Sequence, residues 1–389
     1  MEPERREFLT SRERVRRAVN REPVDRTPID LGVHYSTGIS AFAYWNLREV
    51  LGLPVDEVEI IDPGQFLARV EDDVLRRFHC DCVCLHPGYP DTAVWNPRDR
   101  YRFRVPRRML PERQPDGSWV AAREGRQMRM PEGGFFFDGD GFDLWDGDES
   151  FLNACARSAE KIWTETDYYT MYIGFGAYFS DNPDWLVNFM LEPEQADEQN
   201  RQWLESDLRH AGQVIDKMGR WIQAVCINSD LGTQTAPFIR PSIHAERIAP
   251  LIGKFCDFIH RNSDCKVFMH SCGAMEPFIP ALIQAGVDVL NPVQVSCANM
   301  NPVRLKEKYG RDISFWGGGC ETQNILGRGT PEDVRQNVRE LMSAFAPGSG
   351  FVFNQVHNVM GNVPPENVIA MLDTAYEESF KYGYKSERC

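Results

Sequence analysis

KVFMHSCGAMEPFIPALIQAGVDVLNPVQ, residues 266–294, is the stretch from which the fold can be read. Lys266 to His270 is a short apolar run. Met275 to Gly286 reads as a helix, and Val287 to Asn291 is a second apolar run. Runs of this length, separated by a helical stretch, read as strand, helix, strand.

The pattern extends in both directions. Further runs are Thr27–Leu31, Asp81–Leu85, Met171–Phe175, Trp221–Ile227, Ile313–Trp316 and Phe351–Asn354. Helical stretches are predicted over 10–20, 186–219, 242–262, 331–345 and 365–383. Ile248, Leu251, Ile252, Phe255 and Ile259 recur at helical spacing, and Thr330-Pro331-Glu332 is an N-cap followed by proline at the first helical position. Eight strands alternating with helices predict an α/β fold, a TIM (β/α)8 barrel, over 1–389 as one domain. The rival is an open doubly wound sheet, which the missing Rossmann glycine fingerprint disfavours.

Two segments stand outside the alternation. Residues 1–25 form a charged, helical N-terminal extension. Residues 88–165, rich in Pro, Gly, Arg and aromatics, read as an insertion containing a β-hairpin. In it Tyr101–Val105 alternates, Pro115-Asp116-Gly117 makes the turn, and Trp119–Ala122 returns.

Composition narrows the function. A net charge of −14 repels a polyanion, so nucleic acid is not an expected partner. No apolar run is long enough to span a bilayer, and the charged start lacks a signal-peptide core, so no membrane is expected and the location expected is cytoplasmic. The 11 cysteines, an odd count, read as reduced thiols. Cys80, Cys82 and Cys84 alternate, which puts all three on one strand face as core packing.

In such a barrel, chemistry sits just after each strand. His270 and Cys272 are two apart on an extended backbone and so point the same way. Gly317-Gly318-Gly319 ends the seventh strand and brings up Cys320. His270, Cys272 and Cys320 would suit zinc with one position left for substrate. A reduced, metal-free pocket is the alternative. His357, after the eighth strand, competes as a ligand or serves as a catalytic group. Asp230 and Glu321 are the other catalytic candidates, although either could simply cap a turn or helix. Tyr35, Asn228, Gln234, Asn291 and Gln294 are the candidate substrate-binding residues.

SDLGTQ, KVFMHSCG, GVDVLNPVQ, FWGGGCETQ and FVFNQVHNVMGNVPPENVIAM together resemble the uroporphyrinogen decarboxylase superfamily, as does the start, SRERVRRAVNREPVDRTPID. The true decarboxylases carry an arginine-rich RQAGRY stretch after the first strand. This chain reads GVHYSTGISAFAY there, without the arginines that would pair with substrate carboxylates. The resemblance is nearer to the zinc- and corrinoid-dependent methyltransferases, whose pattern is His-x-Cys and a much later Cys. His270 and Cys272 match its first part. The later Cys falls near His357, so Cys320 is expected as the replacement third ligand and His357 is its rival.

The resemblance implies Zn2+ and methyl transfer between a small methylated compound (methoxy, methylthio or methylamine type) and a corrinoid. No Asp-x-His-x-x-Gly motif is present, so the corrinoid is expected on a separate protein partner. A homodimer fits the resemblance, although no motif shows it. The alternatives are a metal-free decarboxylase or lyase and a non-catalytic corrinoid or tetrapyrrole binder.

Overall fold

A computed structural model of the chain describes residues 7–141, 144–145 and 147–383. Cys389 and the first residues of the N-terminal extension lie outside the described residues. Its centre is a six-stranded parallel sheet. In spatial order the strands are Met171–Gly176, Ala224–Asn228, Lys266–His270, Val289–Asn291, Ser314–Trp316 and Phe351–Val352. Each neighbour is the next strand in sequence, and helices lie between most of them, which is the α/β order expected.

The side chains alternate between two apolar layers. Ala224, Cys226, Phe268, Val289 and Trp316 belong to one buried cluster. Val225, Ile227, Val267, Met269, Leu290 and Phe315 belong to a larger one, which includes the helix residues Ile252, Phe255 and Val338. A strand covered on both faces by hydrocarbon reads as a near-continuous apolar run, and the two-residue period then decides which face each residue serves. Two residues beyond Phe268, His270 continues the inner face.

The first two predicted strands differ from expectation. Thr27–Leu31 and Asp81–Leu85 are extended chain that meets the sheet through isolated parallel bridges, Ile29 with Phe353 and Cys82 with Tyr169. One backbone bond, Asp81 N–H to Ile29 O at 2.7 Å, joins them. The cause is local. The Ile29 amide donates to the Asp81 carboxylate (2.8 Å) instead of to a neighbouring carbonyl. That carboxylate belongs to a buried ion network. Arg14 contacts Asp25 at 2.6 Å and Asp81 at 2.5 Å, and Arg26 reaches Asp81 at 2.8 Å. Arg14 comes from the helix Ser11–Val19, so the N-terminal extension is tied to the first two predicted strands by charge. The irregular backbone also separates Cys80, Cys82 and Cys84. All three are buried, but each belongs to a different apolar cluster, so they do not share one face.

The 88–165 segment holds antiparallel pairs and ends in the helix Asp148–Glu165. Phe103–Pro106 pairs with Thr92–Trp95 and lies parallel to Val58–Asp62. The turn at Pro115-Asp116-Gly117 is present, but it joins Glu112–Arg113 to Trp119–Arg123. Tyr101–Val105 is therefore not the partner of 119–122. Among the described residues no helix is long and apolar enough to cross a membrane.

Candidate functional site

Parallel register places three polar residues level at the ends of three adjacent strands, since Asn228 pairs with His270 and His270 with Asn291. Asn291, fully buried, fixes the histidine. Its Nδ2 donates to Trp316 O at 3.0 Å, and a carbonyl can only accept. Its Oδ1 therefore faces His270 Nδ1, at 2.8 Å, so Nδ1 carries the proton and the lone pair is on Nε2. Burial lowers the pKa of His270, which favours the neutral ring. Nε2 lies 3.7 Å from Cys272 Sγ and 3.8 Å from Asp230 Oδ1.

The loop that carries Cys272 is held at four successive amides. Ser271 N–H donates to Asn291 O (2.7 Å), Cys272 N–H to Asp230 Oδ1 (2.8 Å), Gly273 N–H to Gln294 Oε1 (2.9 Å) and Ala274 N–H to Thr233 O (2.9 Å). Gly273 sits at φ +98°, and a Cβ there would come within 2.0 Å of Gly232 O, so only glycine fits. Asp230 and Gln294 thus hold backbone. Burial and the Asp230 charge push the Cys272 thiol up, so without a cation the sulfur stays protonated.

His270, Cys272 and His357 offer ligand atoms that all lie within 4.8 Å of one another. The rings of His270 and His357 are 5.9 Å apart. Burial lowers the His357 pKa to about 4, so this ring too is neutral near pH 7.

Cys320 does not join this group; this corrects the ligand set expected from sequence. Gly317 and Gly318 turn through φ +91° and +79°, and the chain then returns Cys320 to the large apolar cluster with no exposed surface. Glu321 is likewise no free acid. Its carboxylate caps the turn Thr322–Leu326, accepting from the amides of Gln323 (2.8 Å), Asn324 (2.7 Å) and Ile325 (3.1 Å).

The remaining candidates scatter. Tyr35 packs against Ile61, Leu67 and Cys84. Gln234 is exposed. Asn228 Oδ1 lies 3.1 Å from His34 Nε2. His34 and Ser36 received no role from sequence, yet they complete the site. The His34 ring stacks on His270 at 5.2 Å and 24°, and Ser36 Oγ links His34 Nδ1 (2.8 Å) to Asn291 Oδ1 (2.8 Å). Their signal was the position of GVHYST just after the first predicted strand.

Comparison with known proteins places this geometry. Residues 204–378, which include His270, Cys272 and His357, match the model of the uroporphyrinogen decarboxylase (URO-D) family. Similarity to the uroporphyrinogen decarboxylase family thus covers just under half of the chain. The uroporphyrinogen decarboxylase of Psychromonas ingrahamii is 42% identical over 53 residues, 14% of this chain and 15% of that protein. The enzyme of Magnetococcus marinus is 29% identical over 115 residues, 30% of either chain. These matches thus span at most 30% of the two relatives' length. Among solved structures, a methyltransferase from Methanosarcina mazei superposes with a TM-score of 0.59 at 14% identity, covering 95% of this chain and 99% of that one. At that identity the likeness is one of fold. The shared fold covers nearly the whole chain, including residues outside 204–378.

Proposed function

We propose that the chain is a zinc-dependent methyltransferase that moves a methyl group between a small methylated compound and a corrinoid carried by a separate protein. The observation that carries this reading is the His270, Cys272 and His357 group, with ligand atoms within 4.8 Å of one another. Two imidazoles and a thiolate are a donor set suited to zinc, and a fourth position is left for substrate. Zinc held there would act as a Lewis acid on the heteroatom that bears the methyl group.

The chain's own residues do the rest. Asn291 fixes the His270 tautomer and so aims the Nε2 lone pair. The four bonded amides of 271–274 set the place of Cys272. Asp230, half-exposed and 3.8 Å from His270 Nε2, is a carboxylate beside the ligand group and is proposed to manage the proton of the reacting heteroatom. In the demethylating direction the methyl–heteroatom bond breaks and its electron pair stays on the heteroatom, which takes up a proton. A corrinoid on the partner protein would supply the two-electron nucleophile that accepts the methyl group.

The test is zinc analysis together with methyl transfer to free cob(I)alamin. About one equivalent of zinc is expected, with both zinc and activity lost in Cys272→Ser and His357→Ala. Less than about a tenth of an equivalent, with activity that survives chelation, refutes the zinc role.

A further inference from the structure

Next to His357 lies a cavity of about 220 Å³, open to the surface, that the mechanism above does not use. One wall is the segment after the last strand, His357 to Met360. The other belongs to the 88–165 segment, through Phe136 and Phe137. Leu67 closes one side. The two walls are seated on each other. Phe137 N–H donates to Gly64 O at 2.8 Å, and Phe135 packs so closely on Gly361 that a Cβ there would sit 2.5 Å from its ring.

The lining is mostly hydrocarbon, with polar atoms from Ser40, Gln65, His357 and Asn358 among it. The amides that reach this wall are committed to the protein. Asn358 Nδ2 donates to Gln65 Oε1 at 2.7 Å, and Asn358 Oδ1 accepts from Gly38 N–H at 2.8 Å. No lysine or arginine lines the cavity among the described residues. A carboxylate or zwitterion would therefore lose its hydration without gaining a partner, which is costly. A cavity of roughly 150 Å³ lined by apolar side chains is enough to hold benzene. About 220 Å³ leaves room for one ring and a small substituent. His357 lines the cavity and also belongs to the ligand group, so the cavity and the candidate metal position share that side chain.

We propose that this cavity receives the body of the methylated substrate, and that this body is a single aromatic ring bearing a methoxy or methylthio group. The 88–165 segment is then the specificity wall of the site. This rests on the methyl-transfer reading for its chemistry but on the cavity for its ligand class.

The experiment separates the two. Binding of anisole is measured by calorimetry on the chain as purified and after chelation, beside turnover of anisole, methanol and trimethylglycine with cob(I)alamin. Phe136 and Met360 are 47% and 41% exposed, so substitutions there leave the core intact. Anisole is expected to bind with and without metal. Phe136→Ala and Met360→Asp are expected to weaken that binding, and to raise the KM for anisole, by about tenfold. Anisole binding that both substitutions leave unchanged overturns the inference. So does turnover of methanol or trimethylglycine without anisole binding, although methyl transfer then stands. Binding that depends on Phe136, with no methylated compound turned over, upholds the ring site and refutes methyl transfer.

Discussion

Replacing Asn291 by alanine removes one side chain that three buried groups depend on. His270 Nδ1 loses its acceptor at 2.8 Å, Ser36 Oγ loses its acceptor at 2.8 Å, and Trp316 O loses its donor at 3.0 Å. A buried polar group left without a partner costs about 1–3 kcal/mol, so the fold should lose about 3–5 kcal/mol after partial relaxation. The second effect is on the metal. With Nδ1 unpartnered, the His270 ring is free to rotate and to exchange tautomers, and groups that orient a ligand histidine are worth about 10–100-fold in metal affinity. Asn291→Asp separates the two effects. A carboxylate still accepts from Nδ1 and should hold zinc at least as well, but it faces Trp316 O with an oxygen and should still destabilise the fold. Zinc affinity is read by competition with a chromophoric chelator and stability by urea unfolding of the metal-free chain. An Asn291→Ala chain that binds zinc as tightly as the parent refutes the tautomer argument, whatever its stability.

Other substitutions test other parts of the site. Cys320→Ala should leave zinc content unchanged and cost about 1 kcal/mol through a small cavity; loss of zinc would restore Cys320 to the ligand set. Glu321→Ala should lower stability by about 1–2 kcal/mol with zinc retained, because three amides lose their cap. Activity lost at unchanged stability would instead make Glu321 a catalytic acid. Burial pushes the Asp30 carboxyl up to about 6, while the unfolded chain releases that proton near pH 4. The folded chain therefore binds the extra proton between those values. Stability through this group is gained as pH falls from about 7 to about 4, by about 3 kcal/mol. Urea midpoints across that range should show the slope in the parent and lose it in Asp30→Asn; equal slopes refute the assignment.

The order of the sheet was legible because apolar runs and helical spacing are local properties. Lys266–His270 and the helix Pro331–Phe345 have the bounds read from sequence. The adjacency of His270 and Cys272 follows from alternation, which is local as well. What was illegible depended on partners distant in the chain. The first two predicted strands look apolar enough to pair fully, but a side-chain carboxylate from Asp81 takes the amide that a ladder would have used. Whether Cys320 or His357 stands beside the pair turned on where a run of glycines sends the chain, and positive φ values at Gly317 and Gly318 are not encoded in spacing. Asn291 and Gln294 were read as groups for substrate, and Asp230 as a catalytic group, because they follow strands. Asn291 and Gln294 bond to a neighbouring ring and loop, and Asp230 also holds the Cys272 amide; such contacts need the third dimension.

The ion network of Arg14, Asp25, Arg26 and Asp81 gives the amino-terminal helix a duty that its position at the margin of the fold conceals. Both edges of the six-stranded sheet are covered by segments that touch it through a single bridge. Those segments stay in place partly because Arg14 of the helix, together with Arg26 beyond it, neutralises Asp81. Trimming the chain to begin after Val19 would delete Arg14 and leave Asp25 and Asp81 short of a counter-charge in the interior. The expected symptom is not a milder version of the same protein but a sheet with two bare edges, ready to pair with a second copy. Insolubility on amino-terminal shortening would therefore report unguarded strands and say nothing about the catalytic end of the sheet.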